Sequence, residues 1–307
     1  MQGRPRNDET EIEVSIIFHD FPTIPCRESL LTYCPKGISF EILVATQSDG
    51  QDTERDGMRV IHVEDFASFA AAMNHAVSHA KGKYLCFLEP SVLCTPDWLA
   101  RLLTTMQFNP MLALAGNLHI DPVTERITHA GMALNTKGHP LTQHRGQTRE
   151  FWPALVDQDF QFLSSACWLL RREVFLELGG FDCALGNGWE SVDFCLRARA
   201  RGYKVRYVAE SAIRLACESN STKYRPSEGE SFYAKWGKEL NLDADFFFPS
   251  QDAIEAQAPT HTELSHIERR YSHVEQLRFR HPLLASILMS LIRGATGLAK
   301  RINRLSD

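Results

Sequence analysis

Several residues of this chain have the types and spacing that chemistry needs. Carboxylates follow apolar runs: Asp20 comes after VSIIF and His19, Asp49 after FEILVA, and Glu89 after YLCFL. Short continuous apolar runs are strands buried on both faces. In open α/β sheets ligands gather beyond the carboxyl ends of such strands. The positions His19-Asp20, Thr46 to Asp49 and Glu89-Pro90-Ser91 are therefore candidate binding edges. Arg145 and Arg149 stand in a polar loop. Guanidinium forks match phosphate oxygens, and the alternative for both is a solvated loop. His75 and His79 are four apart, a metal-compatible spacing on a helix. With no third ligand near them in sequence, they read as an exposed helix face. Asp193 lies near the start of a predicted helix, where its charge favours the dipole.

The elements that must position these residues follow from periodicity. Val14 to Phe18, Phe40 to Ala45, Met58 to Val63 and Tyr84 to Leu88 are predicted strands. Phe66 to Ala80 repeats apolar residues at helical spacing, and Gly82 is read as its end. Thr95-Pro96-Asp97 predicts a helix to about Phe108, with Thr95 as N-cap and Pro96 at N1. Leu112 to His119, Ile127 to Leu134, Ser165 to Leu170 and Val205 to Val208 read as further strands. Glu173 to Leu178, Val192 to Arg201 (closed by Gly202) and Ser231 to Leu240 read as helices. Strands alternating with helices imply a βαβ layout and a mostly parallel sheet.

Composition bounds the rest. The chain has 307 residues, 44% hydrophobic and 23% charged, as in ordinary globular proteins. A net charge of −5 gives no reason to expect nucleic acid binding. The eight cysteines form no C-x-x-C pair and several sit in apolar runs, which predicts reduced, buried thiols and a cytoplasmic protein. The polar start, residues 1–13, reads as a disordered lead without a signal peptide. No run approaches the ~18 apolar residues of a membrane span. Residues 14–249 form the main domain, 250–262 a linker and 263–307 a helical tail. In the tail Leu284, Leu288, Leu291, Ala295, Leu298, Ile302 and Leu305 alternate spacings of four and three. That seam, with Arg293, Lys300, Arg301 and Arg304 beside it, fits three roles for residues 283–305. It could pair with a second copy or a partner helix, lie on an anionic membrane as a peripheral helix, or pack on its own domain.

Several segments, in order, resemble the family-2 glycosyltransferases of the GT-A fold, mainly the bacterial members that build surface polysaccharides and glycoconjugates. VSIIF, MNHAVSHAKGKYLCFLEP and SVLCTPDWL are similar to the nucleotide-binding half. Ile127 to Gly131 and His144 to Gly146 are similar to loop motifs of that family. SSACWLLRREVFLELGGFD, GNGWESVDFCLRARARGYKVRYVAES and FYAKWGKEL are similar to the acceptor half and its C-terminal helix. The resemblance spans about residues 12 to 245. It implies a Rossmann-like, mixed and mostly parallel sheet flanked by helices, and sugar transfer from a nucleotide-sugar donor to a glycan or glycolipid acceptor with inversion.

The resemblance also shows where this chain departs from the family. The family's metal carboxylates follow the strand that is YLCFL here, where Glu89-Pro90-Ser91 leaves one carboxylate and one hydroxyl. Mn2+ or Mg2+ would then have Glu89 as the one plausible ligand at this position. The family's general base lies in an Glu-Asp pair that reads Glu190-Ser191 here. Glu190 is the best substitute, and Asp193 follows two residues on. Ala216-Cys217-Glu218-Ser219 has lost the family's histidines. Ala45-Thr46-Gln47-Ser48 lacks the nucleobase-contacting Asp, for which Asp49 or Asp52 in a shifted loop, or in part Asp20, could compensate. The implied set is Glu190 and Asp193 for catalysis, with Asp20, Thr46, Asp49, Glu89, Ser91 and Arg145 for the nucleotide sugar. The losses leave two readings open: a transferase with a reduced metal site, or a pseudoenzyme serving as a binding or assembly subunit of a glycan-building complex.

Overall fold

The computed structural model describes residues 12–47, 52–63, 68–134, 140–186, 188–215 and 229–240. Thirteen strands and six helices lie among them, and one sheet organises the fold. Its first half contains β1 (Val14–His19), β2 (Phe40–Thr46), the short β3 (Thr53–Arg55), β4 (Met58–His62) and β5 (Tyr84–Leu88). Between them run α1 (Ile24–Tyr33) and α2 (Phe69–Ser78). There follow β6 (Leu93–Cys94), α3 (Trp98–Phe108), β7 (Leu112–Ile120), β8 (Ile127–His129), β9 (Met132–Leu134) and β10 (Pro140–Thr142). The last part holds β11 (Gln158–Phe160), β12 (Cys167–Arg171), α4 (Arg172–Glu177), α5 (Trp189–Ala200), β13 (Lys204–Arg214) and α6 (Glu230–Trp236).

The strand order is β11-β13-β7-β12-β5-β1-β2-β4-β3, with β6 on β13 and β8 on β7. β4, β2, β1 and β5 are mutually parallel, and so are β7 and β13. β12 runs antiparallel between β5 and β7. Two reversals cancel, so β7 points the same way as β5, and the carboxyl ends of all these parallel strands share one edge. Alternate residues face opposite layers. Ile17 joins the core under α2, α5 and α6, while Val14, Ile16 and Phe18 join the core under α1 and α3.

Where the structure differs from expectation, a tertiary contact accounts for most of the difference. Thr95 does not cap α3: its hydroxyl donates to Ala212 O (2.7 Å), and the helix starts at Trp98 with Asp97 at the cap position. Gly82 does not end α2, which stops at Ser78. It is the point where the chain crosses β1, and a Cβ there would come within 2.4 Å of Ser15 N. The predicted strand over Ile127 to Leu134 is two strands, β9 turning away to pair with β10. Helix α1 went unread because only Cys26 and Leu30 of its ten residues are buried, which leaves no apolar stripe. Glu13, expected in the lead, already bonds through its N–H to Ser39 O and its C=O to Tyr84 N. Residues 1–11 of the lead, residues 250–262 and the heptad tail lie outside the described residues. Among the described residues no helix is long and apolar enough to cross a membrane.

Candidate active site

The carboxyl edge of the sheet collects the candidate residues. Asp20 follows β1, and its N–H donates to Ala45 O at 2.8 Å, one residue before Thr46 closes β2. Its backbone has φ +92°, a left-handed conformation that costs a non-glycine residue ~1–3 kcal/mol and tends to occur at functional positions. Its own carboxylate helps hold it there by accepting from Phe21 N (2.8 Å). The loop after β1 reaches the loop after β5 through Thr23 N–H to Pro90 O (2.9 Å). There Glu89 N–H donates to Ala166 O at 2.8 Å, and Ser91 Oγ donates to Glu89 Oε1 at 2.9 Å. Asp20, Thr46, Glu89 and Ser91 thus share one stretch of edge. Asp49 lies outside the described residues, as do Ala216 to Ser219.

One carboxylate and one hydroxyl would supply only part of an octahedral Mg2+ or Mn2+ shell, the rest falling to substrate phosphates and water. Among the described residues no group of three or more His, Cys, Asp or Glu is placed to hold a metal. His75 and His79 have ring centroids 4.9 Å apart, His79 Nδ1 lying 3.1 Å from His75 O and Nε2 3.7 Å from Asp52 Oδ2.

A hairpin brings basic charge to the same edge. Beyond β7 the chain returns along β8, and residues 143–148 run back beside it: Gly146 N–H donates to Ile127 O and Gln143 N–H to Gly131 O. Arg126 Nη1 donates to Gly146 O (2.8 Å) and fastens the turn that exposes Arg145. Next to it His144 packs its ring 5.1 Å from that of Phe151, and burial pushes its pKa down to about 4. His129, on β8, stacks 4.6 Å from His119, and complete burial pushes its pKa down to about 3. Both imidazoles are neutral at pH 7.

On the acceptor side α5 begins at Trp189, earlier than periodicity suggests, because its polar first turn hides the start. Gly188 takes the N-cap at φ +92°, where a side chain would be strained. Glu190 is buried, and its Oε2 accepts from Gly188 N at 3.1 Å. Ser191 Oγ donates to Gly188 O at 2.6 Å, so the serine in the place of the family's aspartate closes the helix turn. A short turn joins α5 to β13, on which α5 packs, so the helix runs back along the strand. Its first turn, with Glu190, therefore points to the carboxyl edge.

Asp193 has a different environment. Its carboxylate is fully buried and takes hydrogen bonds from Arg197 Nε (2.7 Å) and Trp236 Nε1 (2.8 Å), with Lys235 Nζ at 2.7 Å. It fastens α6 onto α5 rather than merely favouring a dipole. Lys235 and Trp236 went unread as site residues, being about forty positions away. Asn74 was missed too: its amide donates to Phe181 O and accepts from Phe181 N, each at 2.8 Å.

With this geometry in view, comparison with known proteins places the chain. A family model described as "Glycosyltransferase like family 2" matches residues 55–258, and the chain belongs to that family. The O-antigen biosynthesis protein RfbC of Myxococcus xanthus is 29% identical over 152 residues, 48% of this chain and 12% of that protein. A putative cellulose synthase 2 of Komagataeibacter xylinus is 26% identical over 164 residues, 52% of this chain and 10% of that protein. The chain thus spans about a tenth of the length of these relatives. Among solved structures, GalNAc-T7 with UDP, GalNAc and Mn2+ superposes with a TM-score of 0.57 at 15% identity, over 86% of this chain and 55% of that one. The fold is that of the GT-A glycosyltransferases.

Proposed function

We propose that this chain transfers a sugar from a nucleotide-sugar donor to a glycan or glycolipid acceptor in surface polysaccharide assembly, with Glu190 as general base. The observation that carries this reading is Glu190 itself, a buried carboxylate in the first turn of α5, aimed by Gly188 N–H. In the reaction Glu190 takes the proton of the acceptor hydroxyl. The acceptor oxygen attacks the anomeric carbon from the face opposite the diphosphate, the carbon–oxygen bond to the nucleotide breaks, and the configuration inverts. Asp20, Thr46 and Asp49 serve the nucleotide, and Glu89 and Ser91 the donor sugar. Arg145 pairs with the leaving diphosphate, since guanidinium matches phosphate oxygens in charge and shape. The free thiols described at seven positions support a reducing, cytoplasmic location, and the basic heptad tail supports contact with the inner face of the membrane.

The test is Glu190→Gln. Transfer is expected to fall by roughly 100- to 10,000-fold with the melting temperature preserved. Unchanged transfer would remove Glu190 as the base.

A further inference from the structure

Four charged side chains meet where α5, α6 and the loop before α5 come together. Asp193 lies between Arg197 and Lys235, and Lys235 Nζ also reaches Asp182 Oδ2 at 2.9 Å. Two acids face two bases, so the cluster is balanced. Hydrogen bonding from Lys235, then from Ala184 N–H, holds the Asp182 carboxyl below its usual range. Burial pulls the Lys235 pKa down, but the bonds to Asp193 and Asp182 outweigh it, and the ammonium is held above its usual range. Arg197 spends its other two nitrogens on the loop backbone, donating Nη1 to Leu178 O and Nη2 to Gly180 O, both at 2.7 Å. From the opposite side Asn74 of α2 grips Phe181 through both its backbone groups. The loop thus gripped leads to Gly188, whose N–H aims Glu190. Helix α6 also stacks Phe232 on Trp189, the residue before Glu190, with ring centroids 4.5 Å apart.

Of these four side chains only Asp193 is fully buried, and a buried carboxylate whose partners come from separate segments is a device that can fix register in proteins. Here Asp193 joins α5 to α6, and its partners Lys235 and Arg197 carry the link on to the preceding loop. We infer that Asp193 and Lys235 are positioning residues that hold residues 178–186 and the first turn of α5 in the register that aims Glu190. This rests on the reading of Glu190 as the base. It makes α6 a working part of the acceptor side.

The experiment compares the full chain carrying Lys235→Met or Lys235→Arg with the wild type. Lys235→Met removes the donor to both carboxylates at a partly exposed position, where folding tolerates the change. Hydrogen exchange is read at the amides of residues 178–190. Transfer is read with whichever of the UDP-, GDP- or dTDP-sugars the wild type uses. For Lys235→Met, exchange is expected to rise about tenfold at 178–190 and not in β1, β2 or β5. The kcat should drop about tenfold at constant donor KM, and Lys235→Arg should restore both. Unchanged exchange at 178–190 would overturn the inference, as would a lowered melting temperature with kcat intact. Glu190→Gln in the same assay separates the two ideas. If that variant transfers normally, the base assignment falls, while the exchange data still decide whether α6 sets this loop.

Discussion

The sheet edge at the ends of β1, β2 and β5 and the edge at the start of α5 are built in different ways. At the ends of β1, β2 and β5 the described polar groups are few and mostly local. Asp20 bonds to the next residue, Ser91 to Glu89 two positions back, and backbone links tie the loops together. At the start of α5 the bonds are long-range and charged, joining Asp182, Asp193, Arg197, Lys235 and Trp236 across three elements. The start of α5 is held by a charged network that spans α5, α6 and the preceding loop, whereas Asp20 and Ser91 bond within their own loops. A general base works only at a fixed distance from the proton it removes, so a rigid frame suits Glu190. In the proposed reading Arg145 would meet the diphosphate, whose oxygens a guanidinium fork matches in charge and shape.

The comparison can be broken or sharpened by paired substitutions. The largest effect is expected from Glu190→Gln, the loss of transfer given above, whereas Glu89→Gln in the donor half should cost far less. Next is Arg145→Ala. Losing a charge-assisted bond to phosphate should raise the donor KM about tenfold, with kcat and melting temperature little changed. An equal loss in kcat would put Arg145 in the chemical step instead. The remaining effect is on stability rather than transfer and concerns the hairpin that carries Arg145. His129 and His144 have folded pKa values pushed down to about 3 and about 4 by burial, against an ordinary value of 6.5. The unfolded chain therefore takes up protons that the folded chain refuses as pH falls below 6.5. Stability should be full above that pH and fall by at most about 1.4 kcal/mol per pH unit per histidine below it. Denaturant midpoints at pH 7.5, 6 and 5 would measure the slope, and His129→Gln should flatten it.

Much of the frame was legible in the sequence because buried parallel strands announce themselves. VSIIF, FEILVA and YLCFL became β1, β2 and β5 with little change at their ends. Elements whose existence depends on a distant partner were not legible. The short β3, β6 and β11 exist through pairing, and α1 has almost no apolar stripe. Strand β13 runs past the predicted Val208 because a register shift between Val208 and Ala212 breaks the alternation that marks a strand. In the site, the family resemblance points to Glu190 as the substitute base and helix position marks Asp193 as structural, but the partners of Asp193 on α6 carry no sequence signal. Glu190 is aimed by a backbone N–H at the edge of the sheet, and Asp193 is occupied by Trp236, 43 residues away.

In the proposed function the edge at β1, β2 and β5 binds a nucleotide sugar, with Arg145 in place of much of the carboxylate and metal chemistry that the family resemblance implies. The most direct measurement is a thermal-shift titration of the wild-type chain and Arg145→Ala with UDP, GDP, dTDP and their common sugars, each with and without Mn2+. The account predicts that one nucleotide stabilises the wild type by about 2.7 kcal/mol at a hundred times its dissociation constant, that the shift persists without Mn2+, and that Arg145→Ala weakens it. No shift with any nucleotide, or one that appears only with Mn2+ and ignores Arg145, would contradict it.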